Sequence, residues 1–338
     1  MYYVGIDYHK KFSYGAIMDE RGKVVKEGRI ANTVEGVKEF VDGYYNKGVR
    51  GVMEATRNWT LMYDWLEESI EEVKLAHPLK VKAIAEAKIK TDKIDAKILA
   101  HLLRCDLLPE AYVPSKDVRR AREILRQRMF FVRIQTMLKN RIRGILDKHP
   151  DVKQPECSDI FGKGGFEWIK KVDLPETERK IIDGDIKLLE AVRERIEQSN
   201  QLVDELARGN KQIEYLMSIP GIGKFLAVLI YYEIEDINRF MNVKKLHAYT
   251  GLVPSTYASA NRIYHGHITK QGNKWLRWAL VEAVWPAIRR DIELRSFYDR
   301  IKSKSGANSA KVATARRLLT IVYKVLKENR YYQIRRLS

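Results

Sequence analysis

Cysteine is nearly absent: Cys105 and Cys157 are the only two in 338 residues. Two thiols cannot build a disulfide framework and are not spaced as a zinc knuckle, so both are expected free, in a reducing compartment. Long apolar runs are missing as well. None approaches the roughly 20 residues of a membrane span, and Met1-Tyr2-Tyr3-Val4-Gly5-Ile6-Asp7 has neither the basic start nor the apolar core of a signal peptide. The expected location is the cytoplasm, with no membrane partner. Acid is in short supply, 44 Asp and Glu against 62 Lys and Arg, which leaves a net charge of +18. Hydrophobic residues make up 45% of the chain, enough for the cores of two or three globular domains.

The surplus charge is concentrated. Residues 115–149 hold eleven Lys and Arg against three acids, and residues 300–338 hold eleven against one, so the rest of the chain sums to zero. Two basic helical arms flanking a near-neutral domain suit a polyanion. Arg119, Arg120, Arg126, Lys139, Arg141 and Arg143 in the first arm, and Arg316 and Arg317 in the second, are the candidate contacts.

Against this background four acids stand out. Tyr2 to Asp7 reads as a buried strand with Asp7 at its exposed end, and Val49 to Thr56 reads the same way with Glu54 near its end. In Lys90-Thr91-Asp92-Lys93-Ile94-Asp95-Ala96, Thr91 is an N-cap and Ile94, Ile98 and Leu102 recur at helical spacing. Asp92 and Asp95 then share one face of the first turn. If the four converge they can hold divalent metal against a phosphodiester, and hard oxygen ligands suit Mg²⁺ or Mn²⁺. Taken singly, each is equally an ordinary strand-end or first-turn acid. Strands near 14–18 and 24–30, a helix over 33–46, the Glu54 strand, a helix over 58–69 and a strand over 72–77 complete an order of three strands and then alternating helix and strand. That is the α/β ribonuclease H-like arrangement, a mixed sheet with helices on its faces.

Further along, 115–148 reads as one long amphipathic helix, 149–173 as a Pro- and Gly-broken linker, and 175–218 as a second long helix. The pair predicts a helical hairpin or coiled coil whose apolar stripes pack on each other or on a second subunit. Ile219-Pro220-Gly221-Ile222-Gly223-Lys224 has the pattern of a helix-hairpin-helix turn, with Gly221, Gly223 and Lys224 able to approach phosphate; a plain tight turn is the alternative. His265 and His267 alternate, but with no third ligand in view they read as phosphate contacts or surface rather than a metal pair. Trp275, Trp278 and Trp285 read as helix core rather than base-stacking residues.

Val4-Gly5-Ile6-Asp7, Met53-Glu54-Ala55-Thr56 and, most specifically, Lys90 to Ala96 resemble the Asp-Glu-Asp-Asp signature of the DEDD transposases of insertion-sequence family one-ten. Their amino-terminal domain is similar to the RuvC Holliday-junction resolvase. The resemblance implies that Asp7, Glu54, Asp92 and Asp95 bind the metal. Ala248 to Ser259, followed by Ile268-Thr269-Lys270-Gln271-Gly272-Asn273, resembles the family's carboxy-terminal transposase domain. Aligning those blocks puts Ser259 on the nucleophilic serine and Lys270 in a basic stretch that meets nucleic acid, while Ser255 reads as a turn or cap residue. Two departures are visible: Arg57-Asn58-Trp59 stands where a small turn is expected, and Ala260-Asn261 where glycines are. The resemblance further implies a covalent phosphoserine intermediate, a site shared between subunits of a dimer or tetramer, and a structured guide RNA beside the DNA. The expected parts are a RuvC-like domain over 1–112, a basic helical hairpin over 113–215 and a mainly α transposase domain over 216–338. A junction nuclease or a DEDD site-specific invertase, and a non-catalytic nucleic-acid binder, are the alternatives.

Overall fold

The structure, a computed structural model, describes residues 1–44, 47–85, 91–259 and 262–333, with side chains from 256 to 265 outside the description. It divides into two compact units, Met1–Val113 and Pro114–Ser338.

The first unit holds strands β1 (Tyr2–Tyr8), β2 (Ser13–Met18), β3 (Val24–Ile30), β4 (Val49–Glu54) and β5 (Glu72–Ala76), with helices α1 (Val34–Val41), α2 (Trp59–Glu67), α3 (Pro78–Ile84) and α4 (Asp92–Arg104). The sheet order is β3-β2-β1-β4-β5. β1 and β2, and β2 and β3, pair antiparallel, whereas β1, β4 and β5 run parallel. A mixed sheet of this order with helices on both faces is compatible with the ribonuclease H-like fold. Period-two alternation sorts the faces. Val4, Ile6 and Met53 pack with Phe40 of α1 and Met62 and Leu66 of α2, while Val52 packs with Leu99 and Leu103 of α4. Helix α1 stops at Val41, short of the expected Asn46, because Asp42 leaves helical backbone and Gly43 takes φ +79°.

Gly5 decides how closely α4 can lie on β1. A Cβ there would stand 2.0 Å from the Ala96 carbonyl oxygen and 2.7 Å from the Ala100 nitrogen, both backbone atoms of α4. Only glycine admits that contact.

The second unit contains α5 (Lys116–Leu146), α6 (Lys163–Lys171), α7 (Glu176–Ala207), α8 (Lys211–Met217), α9 (Lys224–Ile234), α10 (Val243–Thr250), strands β6 (Pro254–Ser259) and β7 (Arg262–Ile268), then α11 (Lys274–Arg290) and α12 (Ile292–Glu328). Helices α5 and α7 pack along each other. Leu138, Ile142 and Ile145 of α5 meet Ile182, Leu189 and Val192 of α7, and Phe166 and Ile169 of α6 close the cluster. Helix α6 falls within the expected linker. The second long helix ends at Ala207 rather than Ser218, because Gly209 at φ +71° breaks it and Asn210 caps α8. The expected stripes also divide: Met137 and Leu188 are 62% and 51% exposed, beside exposed Phe130 and Ile181.

A larger core gathers α8 to α12, with Leu125 of α5 and Val203 of α7 joining it. At its centre the fully buried Glu233 carboxylate accepts from Arg126 at 3.0 Å and Asn273 at 2.7 Å and lies 3.3 Å from Arg122. Gly221, at φ +86°, sits where a Cβ would be 2.3 Å from the Ala283 carbonyl oxygen, so packing against α11 accounts for that glycine. Gly223 has open space and N-caps α9. Trp275 packs on the core as expected, but Trp278 and Trp285 are 38% and 44% exposed, since they fall off the face that carries Leu276, Ala279 and Ala283.

Candidate active site

Asp7 has the same parity on β1 as Gly5 and therefore faces the side on which α4 lies. Helix α4 begins at Thr91, whose hydroxyl accepts from Ile94 N at 3.3 Å, so Asp92 and Asp95 occupy its first turn. Because Ala96 sits on Gly5, the turn before Ala96 falls over the residues that follow Gly5 along β1. The glycine contact thus brings the two helix acids to Asp7.

On β4, Glu54 stands one register step beyond the Ile6–Met53 pair, at the same end of the parallel strands as Asp7. Burial raises the Asp7 carboxyl above its ordinary value; neighbouring His9 opposes this, while the charges of Asp95 and Asp92 add to it. A half-buried acid pressed by two others favours a cation that would relieve the repulsion.

His9 was not foreseen. Its Nε2 lies 3.1 Å from Asp7 Oδ2 and 3.2 Å from Asp92 Oδ1. Ligand atoms of Asp7, His9 and Asp92 all fall within 4.8 Å of one another. The available signal was the i, i+2 spacing of Asp7 and His9, which points both to one side of an extended chain. Carboxylate oxygens with a single imidazole nitrogen fit Mg²⁺ or Mn²⁺, and the nitrogen tips the set towards Mn²⁺.

In the second unit, Ser259 is the last residue of β6 and pairs with Arg262 of β7. Its side chain lies outside the described residues, as does that of His265. Ser255 is in the same strand rather than a turn, and its hydroxyl donates to the His267 carbonyl at 3.1 Å. His267 is exposed.

Of the arginines and lysines expected to meet nucleic acid, Arg120 pairs with Asp117, Arg141 with Asp185, Lys224 with Asp204 and Arg317 with Glu293, at 3.3, 3.2, 2.8 and 3.8 Å. Arg143 and Lys139 both sit over the Phe161 ring. Arg119 lies on α5 and Lys270 takes φ +54° in the turn after β7. Arg126 is engaged by Glu233.

A mixed five-stranded sheet with acids collected between a strand end and a helix start is compatible with a ribonuclease H-like protein of the DEDD type. Residues 4–150 match a family model of IS110 DEDD transposases, described as "Transposase", and residues 213–299 match one described as "Transposase IS116/IS110/IS902 family". The transposase for insertion sequence element IS1111A of Coxiella burnetii is 24% identical across 98% of this chain and 91% of its own length. The pilin gene-inverting protein of Moraxella bovis is 27% identical over 84% of this chain and 82% of its own, and a probable family 20 transposase of Pseudomonas aeruginosa is 24% identical over 79% and 81%. Together the two family models and these relatives support an IS110-family DEDD transposase.

Proposed function

We propose that this transposase cuts and rejoins DNA at the ends of its element through a serine-linked intermediate, with Asp7, Glu54, Asp92 and Asp95 holding Mg²⁺ or Mn²⁺. The observation that carries the reading is the gathering of Asp7, Asp92 and Asp95 where α4 crosses β1. Bound metal would supply charge stabilisation at phosphorus and a lowered pKa for a coordinated oxygen. Ser259 Oγ forms a bond to the scissile phosphorus as the bond to the leaving strand's oxygen breaks, and the serine proton ends on that oxygen. The hydroxyl of a partner strand then attacks the phosphoserine, restoring a phosphodiester and freeing Ser259.

The parts would be the RuvC-like domain over 1–112, the hairpin over 113–215, acting as a coiled coil, and the transposase domain over 216–338 with its helix-hairpin-helix turn at Gly221, Gly223 and Lys224. Arg119, Arg120, Lys139, Arg141 and Arg143 would follow the backbone of DNA or a structured guide RNA, as would Lys270, Arg316 and Arg317. Exposed Phe130, Met137, Ile181 and Leu188 support a dimer or tetramer built through the hairpin, with a site shared between subunits. Among the described residues no helix is long and apolar enough to cross a membrane, and action in the cytoplasm is part of the proposal.

The test is to incubate the protein with RNA transcribed from flanking non-coding DNA and labelled element-junction DNA in Mg²⁺, and to look for SDS-resistant adducts. Adducts that vanish in both Ser259→Ala and Asp92→Ala establish the mechanism. Metal-dependent nicking that survives Ser259→Ala would instead leave a junction nuclease, and binding without scission under any metal would leave a passive binder. The pilin gene-inverting relatives favour one second reading, site-specific inversion, which the same assay separates by using inverted repeats on one molecule.

A further inference from the structure

Between α10, the base of the β6–β7 hairpin and α12 lies a groove of about 1240 Å³. Lys270, Arg316, Arg317, Lys324 and Arg330 line it against one acid, Glu293. Its apolar lining includes Phe297, with the Arg317 guanidinium 5.0 Å from the ring centre, and Tyr331, which is 52% exposed. Pro254 and Gly266 place one wall on the hairpin that carries Ser259, which lies five residues on from Pro254 along β6.

Arg316 is held in an unusual way. Its Nε donates to His247 Nδ1 at 3.2 Å, so Nδ1 is the bare nitrogen and Nε2 carries the proton. Nε2 donates to Thr320 Oγ1 at 3.1 Å, and that hydroxyl donates to the Arg316 carbonyl at 3.3 Å. The three residues close a ring that fixes the tautomer and the guanidinium plane. His247 is 6% exposed, and burial together with the Arg316 charge pushes its pKa down to about 4, so it remains a neutral acceptor at physiological pH. A carboxylate in its place would orient the guanidinium equally well but cancel its charge. A neutral imidazole orients it and leaves the charge available, with both terminal nitrogens free of the His247 bond and suited to a bidentate phosphate contact.

We propose that this groove is a track for a single nucleic-acid strand, in which Arg316 grips a phosphate and His247 is the residue that positions it. The assignment rests on the nucleic-acid reading above. It specifies a strand rather than a duplex because the cations share the groove with the half-buried Phe297 ring and the exposed Tyr331 ring, the combination that holds unpaired backbone and bases. Phosphate chemistry is common to DNA and RNA, so the test carries both.

The full chain is titrated in EDTA with fluorescent oligodeoxythymidylate, oligouridylate and a duplex, each about 20 units long, over a range of salt. EDTA removes strand transfer from the measurement, so the groove can fail while the serine mechanism stands, and the reverse. Arg316→Gln is expected to weaken single-strand binding about three- to tenfold at moderate salt and to flatten the log–log salt slope by about 0.7, the loss of one phosphate contact. His247→Phe, which fills the space without an acceptor, should weaken binding similarly, and His247→Asn, whose amide oxygen can accept from Arg316, should restore much of it. Melting curves on all three variants separate a folding defect; if His247→Phe does not fold, Arg316→Gln decides. Preference for the deoxy or the ribo strand names the occupant, and either supports the track. Wild-type affinity and slope in Arg316→Gln would overturn it, as would a loss confined to the duplex. No binding of any probe by the wild-type chain would sink the nucleic-acid reading itself.

Discussion

Gly5→Ala is the smallest change that should dismantle the carboxylate site from a distance. The added Cβ would meet the Ala96 carbonyl oxygen at 2.0 Å, and ordinary contact begins near 3.4 Å, so α4 must retreat by about 1.4 Å along that line. The opposing atoms belong to the helix backbone, so no rotamer change relieves the clash, and overpacking of this kind costs about 1–3 kcal/mol. For a domain near 100 residues each kcal/mol lowers the midpoint by about 4–8 °C, so the transition of the first unit should fall by roughly 5–20 °C. The same retreat carries Asp92 and Asp95 away from Asp7, and a misplacement of about 1 Å at a reacting centre costs on the order of a hundredfold in rate. Calorimetry of the melting transition, Mn²⁺ titration and an assay for strand scission should all respond. If Gly5→Ala binds Mn²⁺ with wild-type affinity and melts within about 1 °C of wild type, the glycine contact does not position the site and the account of convergence is wrong.

Asp7→Asn should stabilise the metal-free protein at neutral pH while abolishing metal binding. The folded-state pKa of Asp7 is raised, so the folded chain holds more protons than the unfolded one from about pH 4 up to that raised value. Stability therefore falls as pH rises through that window and stays lower above it; a melting point in EDTA at pH 7 below that of wild type would count against the burial argument. His9→Ala should reduce affinity for Mn²⁺ more than for Mg²⁺, because imidazole nitrogen suits the softer ion; calorimetric titration giving an unchanged ratio would remove His9 from the ligand set. Glu233→Ala should cost about 3–5 kcal/mol in urea denaturation, because it strands the Arg122 charge, which is only 9% exposed. A loss under about 1 kcal/mol would show that the buried network is dispensable.

Much of the amino-terminal fold is legible in the chain because local pattern and tertiary requirement agree there. The apolar run of Tyr2–Tyr8, buried at Val4, Gly5 and Ile6, the Thr91 cap and the first-turn acids of α4 are short-range features, and they place Asp7 on the strand and Asp92 and Asp95 on the helix. The breaks in the second half were less readable. Gly209 ends α7, and residues 163–171 form a helix inside a segment rich in glycine and proline, because packing of Phe166 and Ile169 overrides weak local propensity.

The sequence alone determined the resemblance to the family's signature, the two basic arms and which acids are candidates, since each is a matter of residue type and spacing. The tertiary structure alone decided which neighbours these groups meet. His9 joins Asp7 and Asp92 because α4 folds back over β1 from some eighty residues away. Arg126, one of a run of similar arginines, is turned inwards to Glu233, while Arg316 on α12 is held by His247 on α10 with its charge left uncancelled. Spacing along a chain fixes the face on which a side chain stands, but the partner across from it is set by packing between distant segments, and that partner decides whether an arginine neutralises a buried acid or keeps its charge uncancelled.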